Sequence, residues 1–164
     1  MDGRTERTVT LRRARASDAP WLLAVGLDPE KVGRQYHRLE APLQLVVAPA
    51  RALAAPRAPA ALVEVDGRRA GYVGPNPLSR NLEYFLQPWA RGGTGTTAVT
   101  DYLRRFRAGD RARRFFVATS NERSMTVLLR ACAAVGWEEG REVRVEPARH
   151  GRWVWIPAGS PEEG

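Results

Sequence analysis

Apolar and polar positions change period several times along the chain, and each change predicts an element. Thr8 to Ala14 alternates and predicts a first strand after a loose polar lead at residues 1–7. Ser17-Asp18-Ala19-Pro20-Trp21 reads as a helix start, with Ser17 or Asp18 as cap and Pro20 in the first turn. Trp21, Leu22 and Val25 then point inward, and Gly26 to Pro29 breaks the pattern. Glu30 to Leu39 predicts a second, more polar helix carrying Tyr36 and His37, which Pro42 stops. The short apolar run Leu43 to Ala48 predicts a strand, and the Ala- and Pro-rich stretch Pro49 to Ala60 a surface loop or loose helix.

A meander follows. Ala61 to Val65 and Arg69 to Gly74 predict paired strands around Asp66-Gly67, a two-residue hairpin signal. Pro75 to Arg80 is a turn into a third strand, where Leu82, Tyr84 and Leu86 alternate with Glu83, Phe85 and Gln87 until Pro88. Arg91-Gly92-Gly93-Thr94-Gly95-Thr96-Thr97 is a basic, Gly-rich turn, and helical spacing runs from Ala98 to Phe106. Gly109 and Asp110 break that helix; Arg113 to Ala118 predicts a strand, Thr119 to Asn121 a turn, and Ser124 to Val135 a helix ended by Gly136-Trp137. Val143 to Val145 and Arg152 to Ile156 predict a final hairpin with Pro147 to Gly151 as its loop, before a tail at 157–164.

Composition bounds the class. A chain of 164 residues with 43% hydrophobic and 27% charged residues is one domain of ordinary globular make-up. No run approaches the ~18 apolar residues that span a bilayer. The polar start MDGRTERT is unlike a secretory signal, so a cytoplasmic protein is expected. A single cysteine, Cys132, excludes an internal disulfide and disfavours a Cys-based zinc site. The net charge of +8 is carried by arginine, Lys31 being the only lysine. Codon bias explains such a composition, and so does attraction of an anionic cofactor, an acidic substrate or nucleic acid.

The chemistry concentrates in the Gly-rich turn. Between a strand and a helix N-terminus, unpaired amides and the helix dipole both favour an anion. The turn lacks the Gly-Lys-Ser/Thr of a Walker loop. It also comes mid-chain after short strands rather than opening a βαβ series, which disfavours a dinucleotide-binding fold. What remains is the pyrophosphate loop of an acyl-CoA transferase.

The order of elements over residues 8–156, the segment Tyr84 to Thr97 and the run Phe116 to Trp137 together resemble the GNAT superfamily of N-acetyltransferases. Asn121, Ser124, Gly136 and Trp137 stand in that family's order. The resemblance implies a single α/β domain over 8–156, with a mixed central sheet of about six to seven strands flanked by helices and a splayed central strand that binds acetyl-CoA. It implies that Arg91, Gly92, Gly93, Thr94, Gly95 and Thr96 hold the pyrophosphate and that backbone of Phe85, Leu86 and Gln87 pairs with pantetheine. Asn121 would contact pantetheine or cap its helix. Tyr36 and His37 lie where the family shapes its acceptor pocket. No metal is implied.

An attacking amine with a pKa near 10.4 is mostly protonated at neutral pH, so a carboxylate is needed to take its proton. Glu83, on the central strand, is the first candidate; Asn81 shares its face and occupies the position where many relatives carry glutamate. The tyrosine that many members place on the second motif's helix is Leu128 here, and that helix is about one turn longer. Glu64 reads as a solvated or ion-paired residue, His150 as structural or idle and Cys132 as core. Trp153 and Trp155 share one face, for hairpin packing, a dimer contact or a pocket. The expected activity is direct acetyl transfer to a primary amine of a small molecule or protein N-terminus, with no membrane partner. An aminoacyl-tRNA or other RNA-associated acetyltransferase, a catalytically inactive GNAT-fold protein holding CoA or nucleic acid, and a homodimer stay open.

Overall fold

The period-2 segments pair into one mixed sheet of seven strands in the order β1-β2-β3-β4-β5-β7-β6. The structure, a computed structural model, describes residues 7–28, 30, 46–54, 59–107 and 113–161. The strands are β1 (Val9–Arg13), β2 (Ala61–Val65), β3 (Arg68–Pro75), β4 (Leu82–Leu86), β5 (Arg114–Ala118), β6 (Arg144–Ala148) and β7 (Gly151–Trp155). Described helices are α1 (Ala19–Gly26), α2 (residues 46–54), α3 (Thr94–Arg105) and α4 (Glu122–Ala134).

Alternation along the strands divides the core in two. Ala61, Val63, Leu82, Leu86, Phe115 and Val117 join Val99, Tyr102 and Leu103 of α3 and Leu128 and Ala131 of α4. Leu62, Tyr72 and Phe85 turn the other way, onto Leu22 and Val25 of α1 and Ala52 of α2. Neighbouring residues on one strand thus feed opposite clusters, which is what a sheet covered on both faces requires. Cys132 sits in the first cluster, where burial pushes its thiol up to about 12. The core reading of that residue holds.

Two elements differ from the sequence reading. Val46 to Ala48 are helical, and the helix continues to residue 54. An apolar run this short does not choose between strand and helix; with Val47, Ala48, Arg51 and Ala52 all buried, the burial repeat is helical. The last hairpin is also tighter: β6 runs through Pro147 to Ala148 and β7 begins at Gly151, leaving a two-residue turn. Pro147 is tolerated because β6 is the edge strand and no neighbour needs its missing N–H. Leu43 to Leu45, Gly109 and Asp110 lie outside the described residues, as do Tyr36 and His37. No helix among the described residues is long and apolar enough to cross a membrane.

Candidate functional site

β4 and β5 are the one parallel pair, and they meet only at Leu82 and Phe115. Every other neighbouring pair is antiparallel over five aligned positions. Beyond that single contact β4 and β5 diverge, so a gap opens toward their C-terminal ends. The ladder with β3 shows which groups face it. Gln87 N–H donates to Ala70 O at 2.8 Å. Hydrogen-bonded and non-bonded pairs alternate in an antiparallel ladder, so Phe85 and Glu83 bond to β3 while the N–H and C=O of Tyr84 and Leu86 face the gap. Leu86 O is met there by Arg91 Nε at 3.4 Å. Of Phe85, Leu86 and Gln87, Leu86 has its polar backbone in the gap; Phe85 and Gln87 turn theirs to β3.

The Gly-rich turn closes the open end. Pro88–Ala90 forms one 3₁₀ turn, Arg91 is extended, and Gly92 and Gly93 follow with φ of 100° and 99°. Both lie in the region that costs a residue with a Cβ, so the sequence spends glycine there. Thr94 opens α3 with no side chain capping its first amides. Arg91, Gly92 and Gly93 are exposed and Thr94 and Gly95 buried, with Thr96 between. A Cβ on Gly95 would meet Val127 at 3.4 Å and Leu86 at 3.6 Å, so this glycine lies where α3, α4 and β4 come together. The turn therefore offers uncapped amides, a helix N-terminus and a guanidinium beside an open strand edge.

α4 brings the other wall. Asn121 caps it, its Oδ1 accepting from Ser124 N–H at 3.2 Å. Tyr84 donates its hydroxyl to Ser124 Oγ at 3.0 Å, linking β4 to the first turn of α4. Burial raises the Tyr84 pKa, with the Ser124 contact opposing it. A cavity of about 240 Å³ lies beside this turn, lined by Asn121, Met125, Val117 and Arg152. Leu128 is fully buried in the core.

Glu83 faces the side of the sheet that α1 and α2 cover. Its Oε1 receives Arg51 Nη2 at 2.6 Å and Nε at 2.7 Å, and Asn76 Nδ2 donates to Oε2 at 3.1 Å. Arg51 is buried beneath the rings of Tyr72 and Phe85, its guanidinium 5.7 Å from each centroid. Asn81 stands at the closed end of the gap and accepts Arg114 Nε at 2.9 Å. Leu86 and Asn81 thus lie along the edge of β4 that faces β5, while the Glu83 side chain lies on the face that α1 and α2 cover. Sequence reasoning missed Arg51, Asn76 and the side chain of Tyr84, and named Ser124 only as a motif position. Tyr84 had a signal in its alternation with Leu82 and Leu86, whereas Arg51 and Asn76 had none.

A second, larger cavity of about 500 Å³ lies beyond α1 against the β2–β3 hairpin, lined by Arg12, Trp21, Glu64, Arg68, Arg69 and Trp89 among others. Its frame is Asp18, whose buried carboxylate takes Arg12 Nη1 and Nη2 at 2.7 and 2.8 Å and Arg69 Nε at 3.1 Å. Arg12 also gives Nε to Glu64 at 2.7 Å, the ion pair expected for that residue. The Arg12 contact holds Asp18 below the usual carboxylate range. A carboxylate depressed on folding contributes stability above its unfolded pKa near 3.9 and loses it as pH falls through the folded value. Asp18→Asn should accordingly lower the urea midpoint at pH 7, and its deficit against the unaltered protein should shrink below about pH 4. A deficit of the same size at pH 3 would show that the ion pair is not its cause.

Among the described residues no group of three metal-ligating side chains is gathered. No protein-family model matches the chain, and no curated protein matches it. A solved structure does: diaminobutyrate acetyltransferase EctA from Paenibacillus lautus, in complex with its substrate L-2,4-diaminobutyric acid and coenzyme A, is similar over 93% of this chain and 96% of that one. The TM-score is 0.61 and the identity 15%. Identity this low establishes architecture: the protein is a single domain with the GNAT fold, a mixed seven-stranded sheet between two layers of helices.

Proposed function

We propose that the protein is an acetyl-CoA-dependent N-acetyltransferase that acts directly on the primary amine of a small molecule. The observation that carries this reading is the β4–β5 gap opening onto the Gly-rich turn, in a fold shared with an enzyme that holds coenzyme A and a small diamine. Acetyl-CoA, when bound, supplies an activated thioester.

The remaining work belongs to the chain. Arg91 and the amides of Gly92 to Thr96 bind the pyrophosphate at the start of α3. The backbone groups of Tyr84 and the N–H of Leu86, which face the gap, pair with pantetheine amides as a neighbouring strand would. One of those N–H groups serves the developing oxyanion, an interaction typically worth about 3 kcal/mol. Tyr84, protonated like any phenol at neutral pH and with its hydroxyl held on Ser124 Oγ, is our candidate to give a proton to the departing sulfur. Asn121 fixes α4 and with it Ser124, the partner of Tyr84.

Glu83 takes the proton of the incoming amine, directly or through one water, from the face opposite α3. Arg51 and Asn76 fix its rotamer, and the oxygen facing Asn76 carries the longer contact. Glu83→Gln should lower kcat/KM for amine acetylation by about 10²-fold or more while leaving acetyl-CoA affinity within a few-fold. Full activity in that variant would remove Glu83 from the reaction and leave it the ion-pair partner of Arg51. Screening small diamines and amino acids with the purified protein, by thiol release, tests the activity itself.

A further inference from the structure

The side of the sheet that carries Glu83 continues across β5, β7 and β6, and Arg114 stands on that continuation. We propose that Arg114 anchors a carboxylate of the acceptor, so that the amine acetylated here belongs to an ω-amino acid, with several bonds between amine and carboxylate. The proposal rests on the transferase reading above and names the substrate class of the same site.

Facing comes first. Leu82, Phe115, Val117 and Val154 turn to the cluster under α3 and α4. Their strand neighbours Glu83, Arg114, Phe116, Trp153 and Trp155 therefore turn to the other side. There α1 and α2 pack on Leu62, Tyr72 and Phe85, and no residue of β5, β6 or β7 joins their cluster. Phe116 is accordingly 38% exposed. Arg114 is tied to the edge of β4, its Nε donating to Asn81 Oδ1 at 2.9 Å. Asn81 precedes Glu83 by two residues, roughly 7 Å of strand. The guanidinium and the proposed base thus share one face, too far apart for the two groups of an α-amino acid and within reach of an amine farther down a chain.

Charge comes second. Besides Glu83, which Arg51 occupies, this face carries the carboxylate of Glu146 and the guanidinium groups of Arg114 and Arg144. Arg144 Nε pairs with Glu146 at 2.8 Å, and Glu146 also accepts Trp155 Nε1 at 2.7 Å. Arg114 makes no ion pair among the described residues, and Asn81 is its one hydrogen-bond partner among them. A single uncompensated cation beside Glu83 suits one carboxylate on a small acceptor. The repeated phosphates of a nucleic acid would call for a run of such cations.

Geometry comes third. The Arg114 guanidinium lies 4.1 Å from the Trp153 ring centroid and 5.0 Å from that of Trp155. Two indoles and one amide hold its plane, and a planar guanidinium held in advance takes a carboxylate in bidentate fashion. Phe116, edge-on to Trp153 at 5.1 Å between centroids, offers apolar surface for the methylene chain. The transfer is that described above: the amine nitrogen bonds to the acetyl carbonyl carbon, the carbon–sulfur bond breaks, one proton passes to Glu83 and one reaches the sulfur.

Thiol release from acetyl-CoA with 4-aminobutanoate, 5-aminopentanoate and 6-aminohexanoate, each beside its neutral carboxamide, decides it. The unaltered protein should use its best acid with a kcat/KM about 10- to 100-fold above that of the matching carboxamide. Arg114→Gln should bring that ratio to within about 2-fold while calorimetry shows acetyl-CoA still bound. Arg114→Lys, which keeps the charge and loses the fork, should give a ratio between the two, and it decides the matter if the glutamine variant does not fold. Equal use of acids and carboxamides by the unaltered protein, or a ratio that survives the substitutions, overturns the proposal. Acetyl-CoA binding with none of the acids acetylated overturns the proposal alone, whereas no acetyl-CoA binding overturns the transferase reading with it.

Discussion

Arg51→Ala is expected to lower the unfolding free energy by about 3–5 kcal/mol, because it removes the buried cation that sits against the Glu83 carboxylate. The Arg51 side chain is completely buried and that of Glu83 is 13% exposed, with 2.6 Å between Nη2 and Oε1. Truncation removes the cation and its ring contacts with Tyr72 and Phe85 together. Glu83 keeps the amide of Asn76 but loses the 2.6 Å contact with Arg51. Against a typical domain stability of about 5–15 kcal/mol this is a large share, visible as a shifted urea midpoint with the slope unchanged. The double variant Arg51→Met with Glu83→Gln removes both charges at similar volume and should recover most of the loss. A cost below about 1 kcal/mol for Arg51→Ala would mean that the pair is solvated in solution.

Gly71→Ala should be as damaging for a different reason. A Cβ there would stand 2.1 Å from the carbonyl oxygen of Phe85 and 2.7 Å from Leu86 Cδ2. The Leu86 methyl can rotate away; the Phe85 carbonyl cannot, since it belongs to the β3–β4 ladder. Gly71 follows the irregularity where the β2–β3 register shifts at Val63 and Glu64, which draws the backbones close. Relief requires moving β4 away from β3, so the expected cost is about 3 kcal/mol, the upper range for overpacking. Because β4 also lines the gap, any folded fraction should bind acetyl-CoA less well. Gly67 offers the contrast: nothing lies within 4 Å of a Cβ there, and its φ of 73° makes the objection one of backbone conformation alone. Wild-type stability in Gly71→Ala would show that the two strands lie farther apart than described.

How much of this was legible depends on the range of the physics. The Asp66-Gly67 hairpin was, because turn chemistry is local: Asp66 and Gly67 adopt φ of 51° and 73°, as a two-residue turn demands. The Asn121 cap and the glycines of the turn before α3 were legible for the same reason. Residues 46–48 were misread as strand because four apolar residues in a row carry no period, and the helix shows only in the burial of Arg51 and Ala52 farther on. The order of the meander followed from turn positions, but the splay of β4 from β5 did not: single-point pairing at Leu82 and Phe115 is a tertiary property, expected only through family resemblance. Glu83 is singled out as candidate base from its strand and face. Its partner Arg51, 32 residues away in a segment without clear period, was invisible to any local rule. The same holds for the Asp18 network, which joins residues 51 positions apart.

The central claim is that the gap between β4 and β5, with the Gly-rich turn at its mouth, takes acetyl-CoA. Calorimetric titration of the purified protein with acetyl-CoA, beside Arg91→Glu, tests it most directly. Saturable one-to-one binding by the unaltered protein, weakened about 10- to 100-fold by the charge reversal at unchanged urea stability, is the predicted result. No binding by the unaltered protein, or binding indifferent to Arg91→Glu, would contradict it.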